Sequence, residues 1–333
     1  MMEKTMEFYG TLGAACGTRE TLVSLFRAGM TAARLNLSHT RLRDCAELLA
    51  AFRAAADEAG VSPRLVIDLR GPELRVGILP EPALLREGML TELGPSGIPI
   101  PREALRAAQI GDRITLDDSA LLLEVEEKDE WRLRCRVLRG GVLQSRKSLA
   151  IVGRELLTPT LTEEDLEDLR CAGDFGVTDV LLPFVRGAED LRTLRSALDE
   201  AALSHVRVMA KIENRRGMER LDEIIGAADE ICAARGDLGS AMPLWELPRA
   251  QKEIARRCVK AGRPFCVATQ LLWSMQERSV PTRAEVLDIY NAVLDGAAGL
   301  MLTGETAVGK HPAEAMTYLV RTAREAMRDA AQP

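Results

Sequence analysis

Short apolar runs rich in branched residues recur along the chain at 8–13, 33–38, 65–69, 177–184, 206–213, 230–234, 264–270 and 298–303, and each is short enough for a buried strand. Most are separated by stretches of another period. At 19–28, 44–59, 163–172, 188–202, 248–261 and 282–294 the apolar positions return about every 3.6 residues, which predicts amphipathic helices, with a last helix over 312–330. Strand and helix alternating through eight such runs predicts an α/β protein, a (β/α)8 TIM barrel whose functional residues sit at the C-terminal strand ends. An open doubly wound sheet has a similar alternation.

One interval breaks the rhythm. After Gly71-Pro72 the text becomes turn-rich and alternates with period two, as in Gly111-Asp112-Arg113-Ile114-Thr115-Leu116, at 120–125 and at 131–138. This predicts a small β-barrel inserted after the third strand, over 76–157, with the main barrel domain formed by 1–75 and 158–333. A unit joined through two linkers can rotate, so it is expected to act as a lid.

Composition changes the picture only by exclusion. With 333 residues, 47% hydrophobic and 28% charged, the chain can bury a large core, while its net charge of -6 argues against nucleic acid or an anionic membrane as partner. Seven cysteines without a C-x-x-C pair suggest reduced thiols in a cytoplasm. Three histidines without ligand spacing make zinc or histidine-triad chemistry a poor fit. The N-terminus carries no apolar signal-like region, and no run has the length of a membrane span.

The chemistry concentrates in Met209-Ala210-Lys211-Ile212-Glu213-Asn214 and Ala234-Arg235-Gly236-Asp237-Leu238-Gly239. Alternation on a strand puts Lys211 and Glu213 on one face, and a neighbouring strand would let Glu213 and Asp237 converge on one hard cation. Lysine and carboxylates at buried strand ends are costly unless paired, so a site competes here with a structural ion pair. Gly236 and Asp237 precede a turn into Met242-Pro243, a candidate helix start whose free N–H groups would take a carboxylate or phosphate, with the Thr269 hydroxyl beside them. Arg34 and Arg75 add forked donors suited to phosphate. These residues imply a phosphorylated or dicarboxylate small molecule on a divalent cation, and they leave the reaction open. Gly304-Glu305-Thr306-Ala307-Val308-Gly309-Lys310-His311 resembles a P-loop but has His311 where a hydroxyl must reach magnesium. Trp273 reads as core or interface packing, and Cys232 and Cys266 as small apolar strand residues.

The stretch 208–214 resembles the signature of pyruvate kinases, and the likeness continues through 234–239, Ala268-Thr269-Gln270, Pro281-Thr282-Arg283-Ala284-Glu285, 291–296 and 301–307. Upstream, Ala33-Arg34-Leu35-Asn36-Leu37-Ser38-His39 and Asp68 with Gly71-Pro72-Glu73-Leu74-Arg75 fall in the family's order, as do Asp117-Asp118 and Ser145-Arg146-Lys147 in the insertion. The resemblance implies conversion of phosphoenolpyruvate and ADP to pyruvate and ATP. It assigns Lys211 to the transferring phosphoryl group and the enolate, Arg34 to the phosphoryl group, and Thr269 with the Gly236 and Asp237 amides to the substrate carboxylate. It implies Glu213 and Asp237 as ligands of Mg2+ or Mn2+, and Asn36, Ser38, Asp68 and Leu69 as ligands of K+. His39, Lys147 and Asp118 fall on the nucleotide and lid side. A homodimer through the barrel and a cytoplasmic location are further expectations, as is the absence of the family's C-terminal regulatory domain.

The departures cluster. Ser119, Ser148 and Ala150 in the insertion, Ala241, Trp273, Ala14, Leu69 and Arg70 stand where the family has other residues, while the lysine and carboxylates are kept. Two alternatives therefore accompany the kinase reading. One is a paralogue using the metal-enolate site for decarboxylation or carbon–carbon chemistry on phosphoenolpyruvate, pyruvate or oxaloacetate, and the other is a catalytically weak regulatory subunit.

Overall fold

The structure is a computed structural model and describes residues 6–38, 40–117, 120–153 and 158–330. Eight parallel strands close a barrel: β1 (Glu7–Thr11), β2 (Ala32–Asn36), β3 (Arg64–Asp68), β4 (Asp179–Leu182), β5 (Arg207–Ile212), β6 (Glu230–Ala234), β7 (Phe265–Ala268) and β8 (Gly299–Leu302). Each pairs with its neighbour in the chain and β8 returns to β1, which excludes the open doubly wound sheet. Most of the strands are shorter than the apolar runs that announce them. Pro183 follows β4 directly, and the remaining residues of the runs lie in the loops at either end of the strands.

Period two separates two cores. Alternate strand residues Tyr9, Ala32, Val66, Leu181, Met209, Cys232, Cys266 and Met301 fill the barrel interior. Their neighbours, among them Phe8, Ala33, Ile67, Val208, Ala210, Ile231 and Val267, pack outward against the helices. Cys232 and Cys266 are in register on β6 and β7 and fully buried, where the neighbouring Cys232 thiol and burial hold the Cys266 thiol up.

The N-terminal rim carries a network that no sequence pattern announced. Arg64 donates from Nε to Asp179 at 3.0 Å, lies 3.2 Å from Glu230 and donates to the Tyr9 hydroxyl at 2.7 Å. Tyr9 in turn donates to Glu230 at 2.9 Å, and Arg207 closes on Glu230 at 3.2 Å. Asp179 is fully buried and Glu230 nearly so. Removing the central cation would leave two buried carboxylates short of a partner. Arg64→Met is expected to lower unfolding free energy by about 3–5 kcal/mol, read from urea midpoints, and a loss under 1 kcal/mol would mean that Arg207 alone carries the network.

Contacts divide the chain into two compact units, one ending at Gly71 and resuming at Thr160, the other spanning Pro72–Pro159. Both crossings are pinned on the barrel side by one buried carboxylate. Asp165 accepts the Arg70 N–H at 2.9 Å, the Gly71 N–H at 3.2 Å and the Thr162 N–H and hydroxyl at 2.9 and 2.7 Å. Gly71 sits at φ +63°, and a Cβ there would lie 2.5 Å from Pro183.

The second unit has its own core, including Leu93, Ile114, Leu116, Leu123, Val125, Leu133 and Val137. Its described strands form a five-stranded antiparallel sheet, containing Arg113–Leu116, Leu121–Lys128 and Leu133–Arg139, and a two-stranded ribbon of Ala83–Leu85 with Gly141–Leu143. A helix over Arg102–Ala107 was not expected from the alternating text. No helix among the described residues is long and apolar enough to cross a membrane.

Candidate active site

The same alternation that fills the barrel builds the site. Two residues beyond the interior positions Ala32, Val66 and Met209 come Arg34, Asp68 and Lys211, so one arginine, one aspartate and one lysine rise into the C-terminal mouth above the last apolar layer. Asp68 is their common partner. Its Oδ2 accepts from Arg34 Nε at 2.8 Å and Nη2 at 2.5 Å, and lies 3.4 Å from Lys211 Nζ. Arg34 also donates to the Thr11 hydroxyl at 3.1 Å.

Glu213 follows the end of β5. Its Oε1 lies 2.8 Å from Lys211 Nζ, and its Oε2 accepts the Phe184 N–H at 2.8 Å. Phe184 holds φ +53°, a left-handed conformation rare for an aromatic residue, and so turns its N–H to the carboxylate. Sequence reasoning did not find this contact, because nothing in Pro183-Phe184 marks it. Asp237 approaches from a helix, not from a strand. That helix spans Arg235–Ala241, so the predicted start at Met242-Pro243 is corrected: Met242 is extended backbone that ends the helix. Gly236 and Asp237 are in its first turn, where N–H groups have no carbonyl partner within the helix.

Thr269 faces that turn. Its Oγ1 accepts the Gly236 N–H at 2.9 Å, so this amide is already engaged, and the Thr269 O–H and the Asp237 N–H remain as donors for a ligand. Thr269 and Gln270 both have positive φ, +73° and +54°. In this arrangement the Gly236 amide orients the Thr269 hydroxyl.

Electrostatics follow from crowding. Burial pushes the Glu213 carboxyl up to about 8, against relief from Lys211, with Asp237 and Asp68 adding like charge. Burial works against a charged Lys211, yet Asp68 and Glu213 outweigh it and raise the ammonium above its ordinary range, so Lys211 stays protonated. One buried carboxylate oxygen, Asp68 Oδ1, accepts no hydrogen bond, and Glu213 Oε1 is met by the Lys211 ammonium at 2.8 Å. Asp68, Glu213 and Asp237 thus crowd two cationic heads, and a further cation would favour the ionised form of Glu213. No group of three His, Cys, Asp or Glu able to hold an ion occurs among the described residues, so a hard cation on Glu213 and Asp237 would need water and ligand oxygens as well.

The remaining candidates separate. Asn36 lies opposite Asp68 in the β2–β3 register, and its Oδ1 accepts the Ser38 N–H at 3.2 Å, which gathers Asn36, Ser38 and Asp68 at one edge of the mouth. The buried Leu69 follows, its N–H bound to Leu181 O at 3.1 Å. Arg75 and Lys147 belong to the second unit, Arg75 paired with Glu73 and donating to Arg146 O, and Lys147 paired with Asp117 at 2.8 Å. His39 and Asp118 lie outside the described residues. Trp273 is 55% exposed, which removes it from the core. The P-loop-like stretch is a four-residue turn of helix, Gly304–Ala307, whose Gly304 carbonyl accepts the Gly309 N–H, while the buried Glu305 holds the Leu272 and Thr303 amides.

The family model for the pyruvate kinase barrel domain matches residues 3–91 and 100–316. A pyruvate kinase of Aeropyrum pernix is 36% identical over 98% of this chain and 72% of its own length. A human pyruvate kinase is 38% identical over 97% of this chain and 60% of its own. The crystal structure of a pyruvate kinase from Cryptosporidium parvum superposes with a TM-score of 0.89 at 31% identity, over 97% of this chain and 69% of that one. The chain spans about 54% to 72% of the length of the curated relatives that it matches. With the family model matched over most of the barrel and nearly the whole length aligned to a pyruvate kinase, the chain belongs to the pyruvate kinase family.

Proposed function

We propose that this chain transfers the phosphoryl group of phosphoenolpyruvate to ADP, giving pyruvate and ATP. The observation that carries the reading is the convergence of Arg34, Lys211, Asp68 and Glu213 in one barrel mouth, in a chain whose relatives are named pyruvate kinases. Those names give no support to the decarboxylating or regulatory alternatives.

In this reading Arg34 and Lys211 bind the phosphoryl oxygens, while the Thr269 hydroxyl and the Asp237 amide bind the carboxylate. Phosphoryl transfer asks the protein mainly for positioning and charge neutralisation. As the bond to the phosphorus breaks, negative charge gathers on the enol oxygen, and the ammonium of Lys211, already protonated and held by Asp68 and Glu213, meets it without reorganisation. Thr269 orients the proton donor for the enolate carbon. Its hydroxyl is too weak an acid to act alone, so water relays the proton. Glu213 and Asp237 would hold a magnesium or manganese ion, which would supply further positive charge to neutralise the transferring group.

Asn36, Ser38, Asp68 and the Leu69 carbonyl are proposed to hold potassium. A carboxylate oxygen without a hydrogen bond beside neutral oxygens is a donor set suited to a large monovalent ion. The inserted unit is proposed as a lid, with His39, Lys147 and Asp118 as nucleotide-side residues and Arg75 as a phosphate-binding one.

A coupled assay of pyruvate formation tests the reaction. Release is expected only with phosphoenolpyruvate, ADP and a divalent ion together, and faster with potassium. Pyruvate formed at the same rate without ADP, or none under any condition, would sink the proposal.

A further inference from the structure

Arg235 opens the helix that carries Gly236 and Asp237, and its own side chain reaches the residue that follows β7. Its guanidinium donates twice to the Thr269 carbonyl, from Nε at 3.2 Å and from Nη2 at 2.6 Å. The third nitrogen, Nη1, is braced by Asp288 at 2.6 Å and Gln251 at 3.4 Å. Only 10% of the Arg235 side chain is exposed, so this cation is sequestered for a carbonyl and a carboxylate and is not a free surface charge.

The carbonyl that it grips belongs to an unusual residue. Thr269 is β-branched and sits at φ +73°, and Gln270 follows at +54°. Two consecutive left-handed residues, neither glycine, persist only where the surroundings hold them. The holding contacts come from opposite ends of one residue. Arg235 fixes the carbonyl, and the Gly236 amide fixes Oγ1 at 2.9 Å. Relaxation of Thr269 to an ordinary φ would turn the carbonyl from the guanidinium and swing the hydroxyl away from the helix turn together.

We infer that Arg235, braced by Asp288, is a positioning residue that holds Thr269 in its left-handed conformation and thereby sets the hydroxyl that receives the substrate carboxylate. The identity of that ligand rests on the proposed function; the mechanical link from Arg235 to Thr269 does not. The chemistry favours arginine specifically. A planar fork reaches one carbonyl with two donors while a third nitrogen meets the carboxylate, and a lysine ammonium offers no such fixed geometry.

Arg235→Gln tests this with two independent readouts. The first is kinetic: KM for phosphoenolpyruvate is expected to rise about tenfold, and the dissociation constant of oxalate, a planar dicarboxylate, by a similar factor, with kcat changed less. Arg235→Lys should recover part of the loss. In a Thr269→Ala background, Arg235→Gln should add little, because the hydroxyl through which it acts is gone. The second readout is hydrogen exchange at the Gly236 amide, whose protection should fall in Arg235→Gln. Unchanged KM and oxalate affinity in an active enzyme, full additivity with Thr269→Ala, or unaltered Gly236 exchange would each overturn the inference. If the wild type makes no pyruvate while Gly236 exchange responds to Arg235→Gln, the proposed reaction is wrong and the positioning link stands.

Discussion

Lys211→Met is expected to cut kcat by at least about a thousandfold while the protein still folds and binds a divalent ion. Methionine keeps the unbranched stem and fills the same passage at the barrel mouth, so what disappears is the ammonium. In the native site that ammonium lies 2.8 Å from Glu213 and 3.4 Å from Asp68, and it stays protonated because those carboxylates outweigh its burial. No neighbour can replace it. Arg34 is tied to Asp68 by two nitrogens and to Thr11 by the third. Loss of the ammonium also relieves repulsion of a second cation, so Mn2+ affinity, measured by electron paramagnetic resonance, should be no weaker than in wild type. An enzyme retaining kcat within tenfold would remove Lys211 from the transfer step, and a loss of Mn2+ binding in parallel would mean that the substitution had merely collapsed the site.

Much of this arrangement was legible in the sequence because it obeys short periods. Strand parity alone placed Lys211 with Glu213, and the alternation of runs and helices was enough to bring strand ends into one mouth. The resemblance to pyruvate kinases then supplied identities that spacing could not, such as a partner role for residues as remote in sequence as Arg34 and Thr269. What stayed hidden depends on backbone turns and on contacts across the chain. Nothing in Ala268-Thr269-Gln270 signals positive φ at Thr269 and Gln270, and the amide that Phe184 aims at Glu213 exists only because that residue is also left-handed. The helix start was misplaced for a related reason. Arg235-Gly236-Asp237 follows an apolar strand without a loop, and a helix beginning directly at a strand end gives no composition break to read. The network of Tyr9, Arg64, Asp179 and Glu230 joins residues more than fifty positions apart, beyond any local pattern.

Glu213→Gln is expected to weaken divalent-ion binding by about a hundredfold and to abolish turnover at millimolar magnesium, with the fold retained. Glutamine preserves length and can still accept the Phe184 N–H, so the loss falls on charge. The native carboxyl is 2% exposed, and burial pushes it up, with Asp237 and Asp68 adding like charge, so ionising it there carries a desolvation cost that a bound cation would offset. The substitution removes that cost and also removes the partner of Lys211, two effects of opposite sign, so unfolding temperature without metal should move little. The difference should show on adding magnesium. In wild type, preferential binding to the folded state raises the unfolding temperature with ion concentration. In Glu213→Gln that rise should vanish over the same range, whereas Lys211→Met should keep it. Should Glu213→Gln keep the magnesium-dependent rise, the divalent site lies elsewhere, and the Glu213–Lys211 pair is a structural ion pair of the barrel mouth.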